Sequence, residues 1–399
     1  MEIVRELCSF DGRFAGTDGE RRAADRMAER LRAAGRKADV EPIYVHPQLG
    51  LIYAAHCVLA VAGSLVAVAV PVLGFALVLF AATSMYLDLN GRFYLLRRVF
   101  FRRASQNVVS KGGRADAPAR LLLIAHLDAA KTGYAYAPKR MRRLNRFPLS
   151  PSRLVFWSAA FLVPVLATRA AGVDSELVSL IQLPPTLVLL IAIFALVDIE
   201  LSDVVPGAND NASGVAVAIS LGEELASEPA ENLEVWVVLT GAGEALAEGM
   251  RAFVRSRRKQ FDPRSTYVVD LVSLGAGDVR FVTGEGPAVT YELGSRLTEL
   301  ATAIAEADAE QANRFRAVAI RHGAGSDALP ARLAGWPATT IACIEPGAAL
   351  PAHYHLPTDL PDSIDPEALD RAHDFALELI RRLDRDLGRS REPELETAA

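Results

Sequence analysis

LLLIAHLDAA, residues 121–130, opens with a run of apolar residues and ends with His126 and Asp128 two positions apart. Unbroken apolar runs of this length read as strands buried on both faces, the kind found in parallel sheets covered by helices. LEVWVVLT (233–240), STYVVDLV (265–272) and ATTIACI (338–344) have the same character. Helical patterns lie among them: AVAISLGEELA (216–226), a stretch from about Glu244 to Arg257, another around Tyr291 to Glu310, and PEALDRAHDFALELIRRLDRDLG (366–388). Alternation of this kind specifies an α/β fold with a mixed, mostly parallel central sheet flanked by helices. Upstream, TDGERRAADRMAERLRAAG (17–35) reads as a surface helix, with Thr17 and Glu20 at capping-box spacing and Gly35 after the last turn. KADVEPIYVH (37–46) follows as a strand.

Two apolar regions interrupt this pattern. No Asp, Glu, Lys or Arg occurs between Pro42 and Leu87. The apolar stretch from Leu51 to Leu87 would make one helix about 55 Å long, against a hydrocarbon core of about 30 Å. Pro71 and Gly74 offer a turn near its middle, so two spans are expected. The second region, Leu154 to Val197, is broken by Arg169, Asp174 and Glu176 and reads as a second hairpin, with Trp157 as an interfacial anchor. The expected organisation is an α/β domain begun in 1–50, a transmembrane hairpin at 51–89, the domain continued at 90–152, a second hairpin at 153–199, the domain completed at 200–388, and a disordered tail at 389–399. Buried core helices are the alternative for the first hairpin, but such helices seldom avoid charge for so long.

Arg92, Arg97, Arg98, Arg102, Arg103, Lys139, Arg140, Arg142, Arg143 and Arg146 lie between the two regions. Under the positive-inside rule this segment is cytoplasmic, and because hairpins return the chain to its starting side, the segments before and after are cytoplasmic too. The arginines would also serve as a solvated face or bind anionic phospholipid. Composition fits an enzyme with a membrane part: 51% of residues are hydrophobic and mean hydropathy is +0.20. A net charge of -5 without a basic groove gives no reason to expect nucleic acid. Cys8, Cys57 and Cys343 have no CxxC spacing and are too few for a disulfide framework. The N-terminus MEIVRELCSFDGR has no apolar segment of the kind a cleavable signal carries.

Five stretches carry candidate chemistry at strand ends, where α/β folds place their sites. They present His126 and Asp128, Asp210 in GANDNASG (207–214), Glu244 after VWVVLT, Asp270 in YVVDLV, and His355 in HYHLPTD (353–359). Singly, each has a structural explanation: a hydrogen-bonded histidine, an Asx turn, a cap. Together, two imidazoles and three carboxylates are the ligand set for a pair of divalent ions about 3.5–4 Å apart and bridged by one carboxylate. The donor mixture favours zinc, with manganese or cobalt also accommodated.

The order His-x-Asp, GANDNASG, Glu, Asp and Tyr-His resembles the di-zinc aminopeptidase family that also contains glutaminyl cyclases, as do GRFAGTDGERRAADRMAERLRAAG (12–35) and the NVV before His126. The resemblance implies two zinc ions, His126, Asp210 and Asp270 holding one and Asp210, Glu244 and His355 the other, with Asp210 shared. It implies that Asp128 orients His126, and that Asp327, in GSDALPARLAGWPATTIA (325–342), lines the substrate pocket. His353 is read as structural. Active members have two adjacent glutamates where this chain has Gly243-Glu244, so Gly243 stands at the usual general-base position. Without a base, about 10²–10⁴ in rate is lost. Glu248, one helical turn further on, is a distant substitute.

The expected function is aminopeptidase-type hydrolysis of peptide N-termini by metal-activated water, in a multi-pass membrane protein whose soluble domain faces the cytoplasm. The alternative is a weakened, metal-binding pseudo-peptidase used as a membrane scaffold or for ligand recognition. A transporter is disfavoured because no internal charge in the four spans marks a pathway.

Overall fold

A computed structural model describes residues 1–144 and 149–389. Arg146 of the basic segment and the tail from 390 onward lie outside the described residues. The strands are β1 (Lys37–Val45), β2 (Arg103–Lys111), β3 (Ala119–His126), β4 (Leu233–Thr240), β5 (Thr266–Val272), β6 (Asp278–Glu285), β7 (Tyr291–Glu292), β8 (Val318–Arg321) and β9 (Ala338–Ile344). The helices are α1 (Glu2–Cys8), α2 (Asp18–Ala33), α3 (Leu49–Val66), α4 (Pro71–Leu89), α5 (Pro138–Leu144), α6 (Pro151–Ala170), α7 (Glu176–Leu201), α8 (Gly214–Ser227), α9 (Glu248–Arg257), α10 (Arg296–Glu310), α11 (Ala328–Leu333) and α12 (Pro366–Arg389).

One sheet runs in the order β1-β2-β4-β3-β5-β9-β6-β7, with β8 beside β6. Its centre, β4-β3-β5-β9, is parallel, as the apolar runs require. The flanks are not: β1 with β2, β2 with β4, β6 with β9 and β6 with β7 are antiparallel, so the sheet is mixed rather than mostly parallel. Within the central strands alternate side chains serve two cores. Leu121, Leu123, Val235, Val237 and Leu239 face a layer with residues of α1, α2, α8 and α12, while Leu122, Ile124, Trp236 and Val238 face one with residues of α9 and α11. Both faces are buried, which explains why the sequence shows runs rather than alternation.

Four helices, α3, α4, α6 and α7, are long and apolar enough to cross a membrane by length and composition. They pack on one another around Tyr53, Cys57, Val78, Met85, Phe156, Leu162 and Leu189. Close approach within the first pair depends on glycine: a Cβ on Gly74 would lie 2.5 Å from Ala67. Outward positions remain apolar, with Leu180, Leu187, Ile191 and Phe194 of α7 and Leu65, Val68 and Leu73 at the α3–α4 turn all exposed. A water-soluble bundle would place polar side chains there.

The helices do contain charge. Asp88 falls in the last turn of α4 and Arg169 in that of α6. Each has a partner, Arg97 for Asp88 at 2.7 Å and Asp174 for Arg169 at 2.9 Å, so neither is the isolated intramembrane charge that would mark a transport path.

Candidate metal centre

The centre forms at the carboxyl edge of the parallel strands. His126 is the last residue of β3, Asp270 lies in β5, Glu244 follows β4, and His355 follows β9. Asp210 sits in an irregular turn ahead of α8, and its peptide bond to Asn211 is cis. One ligand atom each from His126, Asp210 and Glu244 lie within 4.8 Å of one another. Asp210 turns its two oxygens to different imidazoles, Oδ1 toward His126 Nε2 and Oδ2 toward His355 Nε2, both at 3.5 Å. His355 Nε2 is also 3.5 Å from Glu244 Oε2. One carboxylate between two imidazoles is the geometry a bridging ligand needs, and the donor set, buried but for a partly exposed Glu244, fits divalent ions.

The loops are held by partners distant in sequence. Asp359 accepts from the backbone N–H groups of Asn209 (2.7 Å) and Asp210 (3.0 Å). Arg13, buried, donates to the carbonyls of Leu127, Pro206 and Gly207 and so ties the His126 and Asp210 loops together. Asp128 has a wider role than the resemblance implies. His126 Nδ1 is 3.1 Å from its backbone oxygen and 3.4 Å from its Oδ1, while its carboxylate accepts from Gly243 N (2.7 Å) and Glu244 N (3.0 Å). One carboxylate therefore orients an imidazole and fixes the Glu244 loop.

Glu20 was expected to complete a capping box. Thr17 does accept from Glu20 N, but the Glu20 carboxylate is buried and accepts from Gly16 N, Ser105 Oγ and Ala242 N, a further brace on the loop before Glu244. Glu20, Arg13 and Asp359 are supports whose partners only the folded chain reveals. The rings of Tyr354 and Tyr136 cover His355 at 3.9 and 4.5 Å between centroids. No periodicity singled them out.

Glu244 lies in a loop, because Leu246 and Ala247 adopt left-handed φ values of 66° and 57° and delay α9 to Glu248. Glu248 is consequently not on a shared helical face with Glu244, nor is it a solvated helix residue. It is buried, accepts from His46 N and pairs with Arg97 at 3.0 Å. Its carboxylate is committed to that network, which removes it as a substitute base. Gly243 is packed against His126, and a Cβ there would stand 2.4 Å from the His126 Cβ.

Asp270 and Asp327 are also buried. Asp270 Oδ2 accepts from Thr340 Oγ1 at 3.3 Å, whereas Oδ1 has no hydrogen-bond partner among the described residues. Asp327 accepts from Thr240 Oγ1. Burial, reinforced by Asp327 and Glu285, pushes the Asp270 carboxyl well above the usual range. Burial likewise pushes Asp327 up to about 6 and Glu244 up to about 7. Burial opposes charge on His126, yet Asp128 and Asp210 overcome it and hold that imidazole well above its ordinary value. His355 is raised in the same way by Glu244 and Asp210. The Asp210 carboxyl is held low by its two imidazoles against the effect of burial. His353, with Nδ1 2.8 Å from Thr358 Oγ1, braces its own loop.

A mixed sheet flanked by helices with acidic and imidazole side chains gathered at the carboxyl edge defines the class, a metallopeptidase-like α/β fold. Residues 191–380 match the family described as Peptidase family M28. No curated protein matches the chain. Solved structures share the fold over nearly its full length. The glutaminyl cyclase of Porphyromonas gingivalis superposes with a TM-score of 0.55 at 14% identity, covering 96% of each chain. A Zn-dependent exopeptidase from Parabacteroides distasonis gives 0.55 at 12%, covering 95% of this chain and 96% of that one. A zinc aminopeptidase from Bacillus subtilis gives 0.55 at 13%, covering 96% and 94%.

Proposed function

We propose that the protein is a membrane-anchored zinc peptidase that removes N-terminal residues from peptides, with the α/β domain on the cytoplasmic side. The observation that carries this reading is the Asp210 carboxylate set between His126 and His355 with Glu244 beside it. His126, Asp210 and Asp270 would hold one ion, and Asp210, Glu244 and His355 the second. Bound zinc supplies Lewis acidity toward the scissile carbonyl and an activated water. Asp128 keeps the His126 ring oriented, Asp359 and Arg13 keep Asp210 in place, and Tyr136 and Tyr354 shield His355 from solvent on one side. Asp327 lines the pocket. The four apolar helices, whose outward faces are apolar, anchor the enzyme in the bilayer.

One observation favours the second reading, a metal-binding protein with weakened catalysis. Gly243 offers no carboxylate at the usual base position, and His126 occupies the space a side chain would need. The two readings separate on turnover. Purified, zinc-loaded protein assayed on a panel of aminoacyl anilides should show hydrolysis abolished by a chelator and restored by zinc. A zinc-loaded protein inert toward every substrate would leave the pseudo-peptidase.

A further inference from the structure

Both apolar hairpins leave the α/β domain at the edge of the sheet that carries the metal centre. β1 runs antiparallel to β2, and β2 antiparallel to β4, so the β1–β2 connection containing α3 and α4 lies at the carboxyl edge of the parallel strands. The α6–α7 pair is inserted between His126 and Asp210, at the same edge. The four-helix bundle and the centre therefore occupy one end of the domain.

Direct contacts join them. Glu200, in the last turn of α7, holds Lys131 Nζ at 2.9 Å, and Asp198 accepts from Tyr134 N. Two residues beyond Tyr134, Tyr136 lies over His355, and two residues of chain span at most about 7 Å. Leu246, two positions after Glu244, packs against the bundle core. At the start of α6, Ser150 Oγ and Ser152 Oγ donate to the carbonyl of Gly323, four positions before Asp327. The loops presenting His355's cover, Glu244 and Asp327 are each fastened to a helix of the bundle.

We infer that the metal centre opens at the membrane face and that its substrate is a peptide whose free N-terminus is held within a few residues of the bilayer by a membrane anchor. The inference rests on the peptidase and membrane readings proposed above. An anchor near the site raises the local concentration of the N-terminus to the millimolar range with no added contact. Geometry sets the spacer. An extended chain covers about 3.3 Å per residue, so roughly six residues reach a centre up to about 20 Å from the bilayer. A centre on the far edge of a domain about 50 Å across would need roughly fifteen.

Two measurements on the full chain in phosphatidylcholine nanodiscs test this. In a Cys8→Ser background, with Cys57 and Cys343 buried, a fluorophore is placed singly at Tyr134→Cys, at Glu228→Cys beyond α8 on the amino edge, and at Ile191→Cys within α7. Headgroup nitroxides should quench position 134 much more strongly than position 228, and acyl-chain nitroxides should quench position 191. Equal, weak quenching at 134 and 228 with strong quenching at 191 would overturn the inference while sparing the membrane reading. Loss of quenching at 191 would remove the membrane reading and the inference with it. In the second measurement, a phosphinic pseudodipeptide is offered to the zinc-loaded protein free or lipid-tethered through six or fifteen residues. The six-residue form should displace a fluorescent soluble analogue at a concentration at least about tenfold below the free form. Binding by the fifteen-residue form alone, or parity of free and tethered forms, would contradict the membrane-facing site. No binding by any form, the free one included, would instead refute the peptidase reading.

Discussion

Gly243 decides how the site is to be altered. The resemblance makes it an absent base, which on its own would invite replacement by glutamate. In the structure a Cβ at this position would stand 2.4 Å from the His126 Cβ, so replacement forces the loop or the ring to move. Overpacking of this kind costs about 1–3 kcal/mol, so Gly243→Ala and Gly243→Glu should both lower the melting temperature and weaken zinc binding in a chelator competition. A folded, zinc-loaded Gly243→Glu enzyme with turnover raised about 10²-fold would show that the loop yields and that only the base was missing. Protonation gives a second test. In the metal-free protein the carboxylates raise His126 and His355 and so favour their charged forms, and burial raises Glu244 to about 7. Groups raised on folding stabilise the metal-free state below their unfolded values and lose that contribution as pH climbs through the folded ones. Zinc requires the same groups deprotonated, so the rise in melting temperature on adding zinc should grow from pH 6 to pH 8. A constant or shrinking increment would contradict the assigned ligands. His126 and Glu244 were legible in sequence as polar groups at or just after the ends of apolar strand runs, and Asp210 and His355 through the motifs GANDNASG and HYHLPTD. The braces were not, because Asp128 meets Gly243, and Glu20 meets Ala242, only through the fold.

The same logic holds for whole elements. β3, β4, β5 and β9 announce themselves through two-sided burial, whereas the antiparallel β1–β2 pair is hidden by the insertion of α3 and α4 between its strands. The start of α9 was misplaced because the left-handed Leu246 and Ala247 have no glycine to signal them. That turn is secured from below by a buried network. Arg97 binds both Asp88 at the end of α4 and Glu248 at the start of α9, and Arg251 donates to the Asp88 carbonyl at 3.1 Å. Removing one member leaves buried charge uncompensated, at a cost of about 3–5 kcal/mol. Arg97→Met should therefore unfold at a distinctly lower temperature, and Arg97→Met combined with Asp88→Asn and Glu248→Gln should recover part of the loss. A single variant as stable as the wild type would mean the network is solvated and contributes little.

At the scale of the molecule, two hairpins inserted at one edge of an α/β domain require the segments before, between and after them to share a side of the membrane. In the membrane reading proposed above, the positive residues between the hairpins predict that this side is the cytoplasm. A cysteine near residue 115 should then resist an impermeant reagent in intact cells and react after lysis, and labelling in intact cells would reverse the topology. The central claim, a di-metal site bridged by Asp210, is tested most directly by metal content. Elemental analysis of the wild-type chain should give about two zinc equivalents, falling at both sites in Asp210→Ala and mainly at one in Asp270→Ala, with folding retained. Wild-type protein without metal, or an Asp210→Ala variant at full occupancy, would contradict it.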